Sequence, residues 1–425
     1  MGALCASCLL GLVLINYLLH RDLLYPGFVQ ALVWFVVVLL LIVNREAFIP
    51  VPDAVFVLLL AGVFGFGAGC FIASHRHVPA MGPTGINENS IPAPNAMKVL
   101  AVIVALGLIP YVARIIELSA TGPSTSWYIN LRYNASVNLE ETGGIGRVSY
   151  FITLSYVLVA VALLRRMSRD NQSTSPVAVV LTIAIGLFYG VLSSGRGQVL
   201  TLLLIAIGIP LALRRVSPVR TALVAAVMGI ILFVSIGIAL GKGGYIGSTF
   251  GENLQTMKES VLTYLVGGVP ALGTQLRNGG HDVDLGVNSL RSLFALAQSL
   301  GLARSAPPLV QDYIDVPMPV NVYTIYQPYI RDFGITGSVL VLSALGLVHG
   351  FIYVRATASR PKALWVFLFS VSLLPLLMQA FQDMYFSLLS LWMQYATYGI
   401  VLFVLFRETP TDLANSAARE LLPAR

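Results

Sequence analysis

Charge is what this sequence lacks most. Of its 425 residues only 11% are Asp, Glu, Lys or Arg, where soluble globular domains carry about 25%. So little charge cannot cover the surface of a water-soluble domain of this length. Cysteine is nearly absent: Cys5, Cys8 and Cys70 all sit inside apolar runs, which excludes a disulfide framework and leaves packing as their role. Neither a Walker loop, a G-x-S-x-G elbow nor a dinucleotide fingerprint is present, and no carboxylates or histidines have metal-ligand spacing. No cofactor and no metal are therefore expected. Internal repeats and low-complexity tracts are also missing. The N-terminus has no basic region before its apolar run and no clear cleavage site, so a first span is expected there rather than a removed signal.

Apolar sequence dominates instead. The chain is 57% hydrophobic, with a mean hydropathy of +0.82. A membrane span takes roughly 20 mostly apolar residues. By that measure eleven spans are expected, at 3–19, 26–44, 53–73, 99–117, 148–164, 176–193, 198–213, 221–241, 336–354, 363–381 and 387–406. The fold expected is an all-α polytopic membrane protein, one integral membrane domain over 1–425. The net charge of +7 comes largely from arginines in short loops and does not point to nucleic acid.

Those arginines orient the chain. Arg165, Arg166 and Arg169, then Arg214, Arg215 and Arg220, then Arg355, Arg360 and Lys362, and finally Arg407, fall on alternate sides of consecutive spans. Basic loops stay in the cytoplasm. The opposite face then carries 118–147, a tight turn at 194–197, a large loop at 242–335 and a short turn at 382–386. Within the large loop, 261–272 and 290–303 read as short helices on the membrane surface. Arg114, Arg132, Arg147, Arg196, Arg277, Arg291, Arg304 and Arg331 lie in or beside the non-cytoplasmic segments. Cations held there against the topology bias need an anionic partner, and a lipid-linked phosphate or pyrophosphate has the matching chemistry.

Three motifs concentrate that chemistry. In SSGRGQ (193–198) glycines free the backbone beside Arg196, so amides and guanidinium can meet one anion; a snorkelling arginine in a hairpin turn is the plainer alternative. NVYTIYQPYIRDFG (321–334) brings together Tyr323, Tyr326, Tyr329, Arg331 and Asp332. Aromatic rings stack on sugar faces and their hydroxyls bond to them, although an aromatic belt with an ion pair has the same composition. WYINLRYN (127–134) repeats the pattern around Arg132. Arg114 and Glu117 share a helix face and suit a local ion pair. His349 reads as a packed, hydrogen-bonded histidine, and His281, beside Asp282 and Asp284, is a candidate base.

With these motifs in view, the chain resembles the Wzy-type oligosaccharide repeat-unit polymerases, the O-antigen polymerase-like family. The likeness rests on LLYPGFVQALVW (23–34), the SSGRG turn, YLVGGVPAL (264–272) with Tyr264, and NVYTIYQPYIRDFGITGSVL (321–340), in that order along the chain. The resemblance implies the fold of C-type lipid-dependent glycosyltransferases in the bacterial inner membrane, with the active site facing the periplasm. It implies transfer of a growing glycan from undecaprenyl diphosphate to the next lipid-linked repeat unit, without metal, alongside a flippase and a chain-length regulator. Under it, Arg196 and Arg331 hold the diphosphate with Arg132 in support, and Arg114 is a further substrate contact. Asp332, Glu141 and His281 are unranked candidates for the base, and Tyr323, Tyr326 and Tyr329 line the sugar path. An O-antigen ligase would share the fold and the arginines, but the Asp-Phe-Gly junction favours a polymerase. A lipid-linked glycan flippase or transporter would be expected to show internal repeats.

Overall fold

The computed structural model describes residues 1–80, 82–168, 174–239, 259–278, 284–302, 307, 311–316 and 318–407. His281 and Arg304 lie outside the described residues. Among the described residues the architecture is all-α, apart from one two-residue antiparallel pair, Ile314–Asp315 with Pro319–Val320. Among the described residues, seven helical segments are long and apolar enough to cross a membrane: Gly2–His20, Pro26–Val43, Asp53–Ser74, Pro94–Ala120, Gly146–Met167, Tyr326–Ala356 and Phe386–Leu405. At 1.5 Å per residue, 20 residues cover the roughly 30 Å of bilayer hydrocarbon. The remaining four expected spans are also helical but shorter, at Pro176–Leu192, Arg196–Ala212, Pro218–Gly229 and Ala363–Leu377. The chain is a multi-pass, membrane-embedded protein. It divides into two compact units.

The first unit comprises Met1–Pro79, Lys242–Val354 and Ser372–Trp392. Its central contact joins Asp53–Ser74 to Tyr326–Ala356 through small residues. A Cβ on Gly69 would lie 2.1 Å from the Ser343 carbonyl oxygen, and one on Gly346 would lie 2.1 Å from that of Phe66. Helices in lipid gain nothing from water exclusion, so close backbone approach over small residues supplies their contact energy. The long helix breaks at Gly334, whose φ of 70° suits a residue without Cβ. A non-helical stretch at 378–385 pairs with 324–325: Ile325 N donates to Gln379 O at 2.8 Å and Thr324 N to Phe381 O at 3.2 Å. The Gln379 side chain receives the amide of Gln30 at 3.0 Å and the indole N–H of Trp34 at 3.2 Å. Backbone outside a helix survives among apolar surroundings only when its polar groups are satisfied in this way.

The second unit comprises Ala80–Gly241, Arg355–Val371 and Met393–Arg425. Tyr150–Met167 is its most buried helix, packed by Pro94–Ala120, Pro176–Leu192 and Arg196–Ala212. Two tyrosines lock a pair of these together: Tyr111 donates its hydroxyl to Tyr189 O, and Tyr189 donates to Val104 O, both at 2.8 Å. The two stretches expected as short helices are helical, at 259–266 with Gly268–Asn278 and at Arg291–Ser299. The first is not a surface helix: Val266, Val269, Ala271 and Leu272 are 0% exposed, because its apolar residues pack inside the unit.

Candidate functional site

In the second unit the SSGRG turn joins Pro176–Leu192 to Arg196–Ala212. Ser193 closes the turn, donating Oγ to Gly190 O at 2.6 Å and accepting the Gly195 amide at 3.2 Å. Ser194 takes a left-handed conformation, φ 55°, and is 1% exposed. Its Oγ has no hydrogen-bond partner among the described residues. Gly195 is the N-cap, and no side chain caps the helix. Arg196 is therefore the first helical residue, at the end where amides lack intrahelical acceptors and the dipole is positive. Its side chain is half-buried.

A second arginine joins it. Trp127–Ser136 is a short helix whose Tyr128 is buried and donates its hydroxyl to Val191 O at 3.2 Å, next to the turn. Burial raises the Tyr128 pKa, while the charges of Arg132 and Arg196 both act to lower it. Arg132 and Arg196 thus both act electrostatically on one phenol. Tyr128 was not singled out from the sequence, though its place four residues before Arg132 put both on one helix face. The asparagines of this motif do structural work. Asn134 is buried and donates to Leu118 O and Thr121 O, and Asn130 bonds both backbone groups of Ser124.

Arg114 takes a role different from substrate contact. Its Nε donates to Gly144 O at 3.0 Å, Nη2 donates to Gly144 O and Thr142 O, and Nη1 pairs with Glu117 at 2.7 Å. Every nitrogen of the guanidinium is occupied within the fold, so it clamps the 139–144 turn. Glu141 is exposed and accepts from the Asn138 amide at 3.0 Å.

In the first unit, Arg331 is half-exposed, with Asp284 at 4.0 Å and the side chain of Gln311 at 3.3 Å. Gln311 also accepts from Gln327 at 3.0 Å. Tyr323 donates to Asp312 O at 2.7 Å. Burial raises its pKa, Asp312 adds to the rise, and Arg331 opposes it. Asp332 is fully buried and both its oxygens are engaged: Oδ1 accepts the Asn288 backbone and side-chain amides at 2.9 and 2.8 Å, and Oδ2 accepts the Ser289 amide at 2.6 Å and its hydroxyl at 2.5 Å. That is an anchoring carboxylate. A proton acceptor needs a lone pair directed at its substrate, and here four donors already take them.

The remaining tyrosines correct the expectation of an aromatic sugar path. Tyr326 and Tyr329 are 0% exposed. Tyr326 reaches Leu59 O at 3.1 Å, and Tyr329 donates to Asp383 at 2.7 Å. Their rings pack the interior, because large apolar rings gain more from burial than from an open face. Tyr264 is half-buried and stacks on Phe381, centroids 5.3 Å apart and planes 14° from parallel. His349 is buried and bonded to the Tyr385 hydroxyl at 2.8 Å. Among the described residues no group of three or more His, Cys, Asp or Glu side chains is placed to hold a metal ion.

Each unit thus presents a half-buried or half-exposed arginine, Arg196 with Arg132 at a helix start in one and Arg331 with Tyr323 on the helical stretch before Gly334 in the other. A guanidinium beside free helix amides or hydroxyls binds oxyanions in a fork geometry. No family model, curated protein or solved structure matches this chain.

Proposed function

We propose that this protein is a glycosyltransferase that polymerises oligosaccharide repeat units carried on undecaprenyl diphosphate, at the periplasmic face of the bacterial inner membrane, through eleven spans. The observation that carries the reading is the Arg196 turn. It combines a guanidinium, an uncapped helix start and a buried Ser194 hydroxyl without a partner among the described residues, with Arg132 close enough to act on the same tyrosine. Guanidinium and hydroxyl donors of this kind suit a diphosphate. In the reaction an acceptor hydroxyl attacks the anomeric carbon and the bond to the diphosphate oxygen breaks. The acceptor's proton passes to a base, and undecaprenyl diphosphate leaves. Negative charge grows on the leaving group, so preorganised donors lower the barrier there. Arg331 is the second cation in the same reading. Asp332 serves as an anchor, which leaves the base to Glu141 or His281.

The decisive experiment deletes the gene and resolves surface polysaccharide on a gel. A lipid core bearing a single repeat unit is the expected result. Bare core would assign the protein to ligation instead, and an unchanged ladder would overturn the reading.

A further inference from the structure

The helix Arg291–Ser299 is amphipathic in the reverse sense to a helix on a soluble protein. Leu293, Leu296 and Leu300 are 44%, 56% and 64% exposed. At 100° per residue these three fall within one narrow sector of the helix. Arg291 and Gln298 occupy the opposite side, where Arg291 Nε donates to Pro307 O at 2.8 Å. The three leucines form one exposed apolar sector, while Gln298 on the opposite, polar side is exposed as well. The position of the leucine sector says what covers it. The helix packs beside the 386–388 turn, where the membrane-crossing stretch Phe386–Leu405 begins. Nearby, Phe333 and Ile335 are exposed where the long spanning helix restarts after Gly334. The leucine face thus continues a surface that meets lipid.

The same helix is tied to Arg331. Ser289 and Asn288, just ahead of the helix, supply all four hydrogen bonds to Asp332. The Arg331 carbonyl accepts the Asp284 amide at 3.0 Å. We propose that Arg291–Ser299 lies in the membrane interface with its leucine face among the upper acyl chains, and that the Asp332 tether thereby holds Arg331 at the depth of lipid phosphates. An interfacial helix seats its apolar face about 5–10 Å into the headgroup and acyl boundary. Asp332 is then a positioning residue that links lipid contact to the cation. The claim concerns depth and rests on the proposed reaction only for which lipid phosphate Arg331 meets.

The test uses the full chain in lipid nanodiscs, with Cys5, Cys8 and Cys70 replaced by alanine and single bimane labels at 293, 296, 298, 300 or 333. Nitroxides high on the acyl chain should quench 293, 296 and 300 more strongly than 298, with blue-shifted emission at those three sites. Headgroup nitroxides should quench 333. Adding Ser289→Ala should reduce headgroup quenching at 333, because the tether loses a hydroxyl donor. Iodide quenching at 296 and 300 equal to that at 298 would overturn the proposal. So would shielding at 296 that appears only with two copies per disc, since a second chain would then be the cover. Unchanged quenching at 333 in the Ser289→Ala protein would refute the tether. No arm depends on glycosyl transfer, so a failure here is separate from a failure of the proposed function.

Discussion

The backbone of Gly69 passes Ser343 so closely that a methyl group on residue 69 would sit 2.1 Å from the Ser343 carbonyl oxygen. Backbone cannot swing aside as a side-chain tip does, so the two helices must part. Gly69→Ala is expected to destabilise the protein by about 1–3 kcal/mol, the usual cost of overpacking. Gly11 offers the control, since nothing lies within 4 Å of a Cβ placed there. Gly11→Ala should leave stability equal or slightly higher, because alanine favours a helix over glycine. Thermal unfolding in detergent compares the two, and equal losses would contradict the packing described.

Arg114 and Arg196 should separate fold from activity. Arg114→Ala removes donors to Thr142 and Gly144 and strands their carbonyls. Hydrogen bonds from a charged group contribute about 1.5–3 kcal/mol each. Less protein should accumulate in the membrane, and the protein that does fold should keep its activity per molecule. Full accumulation with lost activity would return Arg114 to the substrate.

Arg196→Ala should instead accumulate normally and lose long glycan chains. Removing one donor from a preorganised site costs on the order of 3–4 kcal/mol, or roughly a hundredfold to a thousandfold in rate. Arg196→Lys should leave only short chains, because an ammonium is a point charge without a fork. Normal chain length in the lysine protein, at matched expression, would show a snorkelling side chain.

Tyr128 carries a further expectation. Its hydroxyl bonds to Val191 O beside the turn, and the charges of both arginines act on it. Tyr128→Phe keeps the ring and removes that bond, a change of about 0.5–1.5 kcal/mol. A partial shortening of chains, weaker than for Arg196→Ala, is the expected gel pattern. A complete loss of polymer would mean that the phenol itself takes part in the reaction.

Orientation is checked by labelling. Cysteines placed at Leu285 and Asn415 should react oppositely with an impermeant reagent in intact spheroplasts, the first labelled and the second protected. Equal labelling would overturn the assignment of 242–335 to the outer face.

Local pattern made part of the candidate site legible. Arg114 and Glu117 pair as their spacing of three predicts, and short helices fall where short apolar runs were seen, although the first of them is buried rather than on the surface. What escaped was distant in sequence. Asp332 meets Ser289 across 43 positions, and Tyr326 meets Leu59 across 267. Composition marked both side chains as candidates for chemistry, because Asp and Tyr carry the same groups whether they face a substrate or the interior.

Composition and hydropathy by themselves settled the apolar surroundings, the helical class and the approximate place of the seven helices that, among the described residues, are long and apolar enough to cross a membrane. Each follows from the number of apolar residues in a row and from the need of backbone groups in lipid to bond within their own helix. Tertiary structure decided which polar residues are spent inside. Asp332, Tyr329 and Arg114 are consumed by partners that only folding brings near, whereas Arg196 and Arg331 keep part of their surface open. A buried polar group must find a partner or incur the full cost of desolvation, and which partner comes within reach depends on how the helices pack.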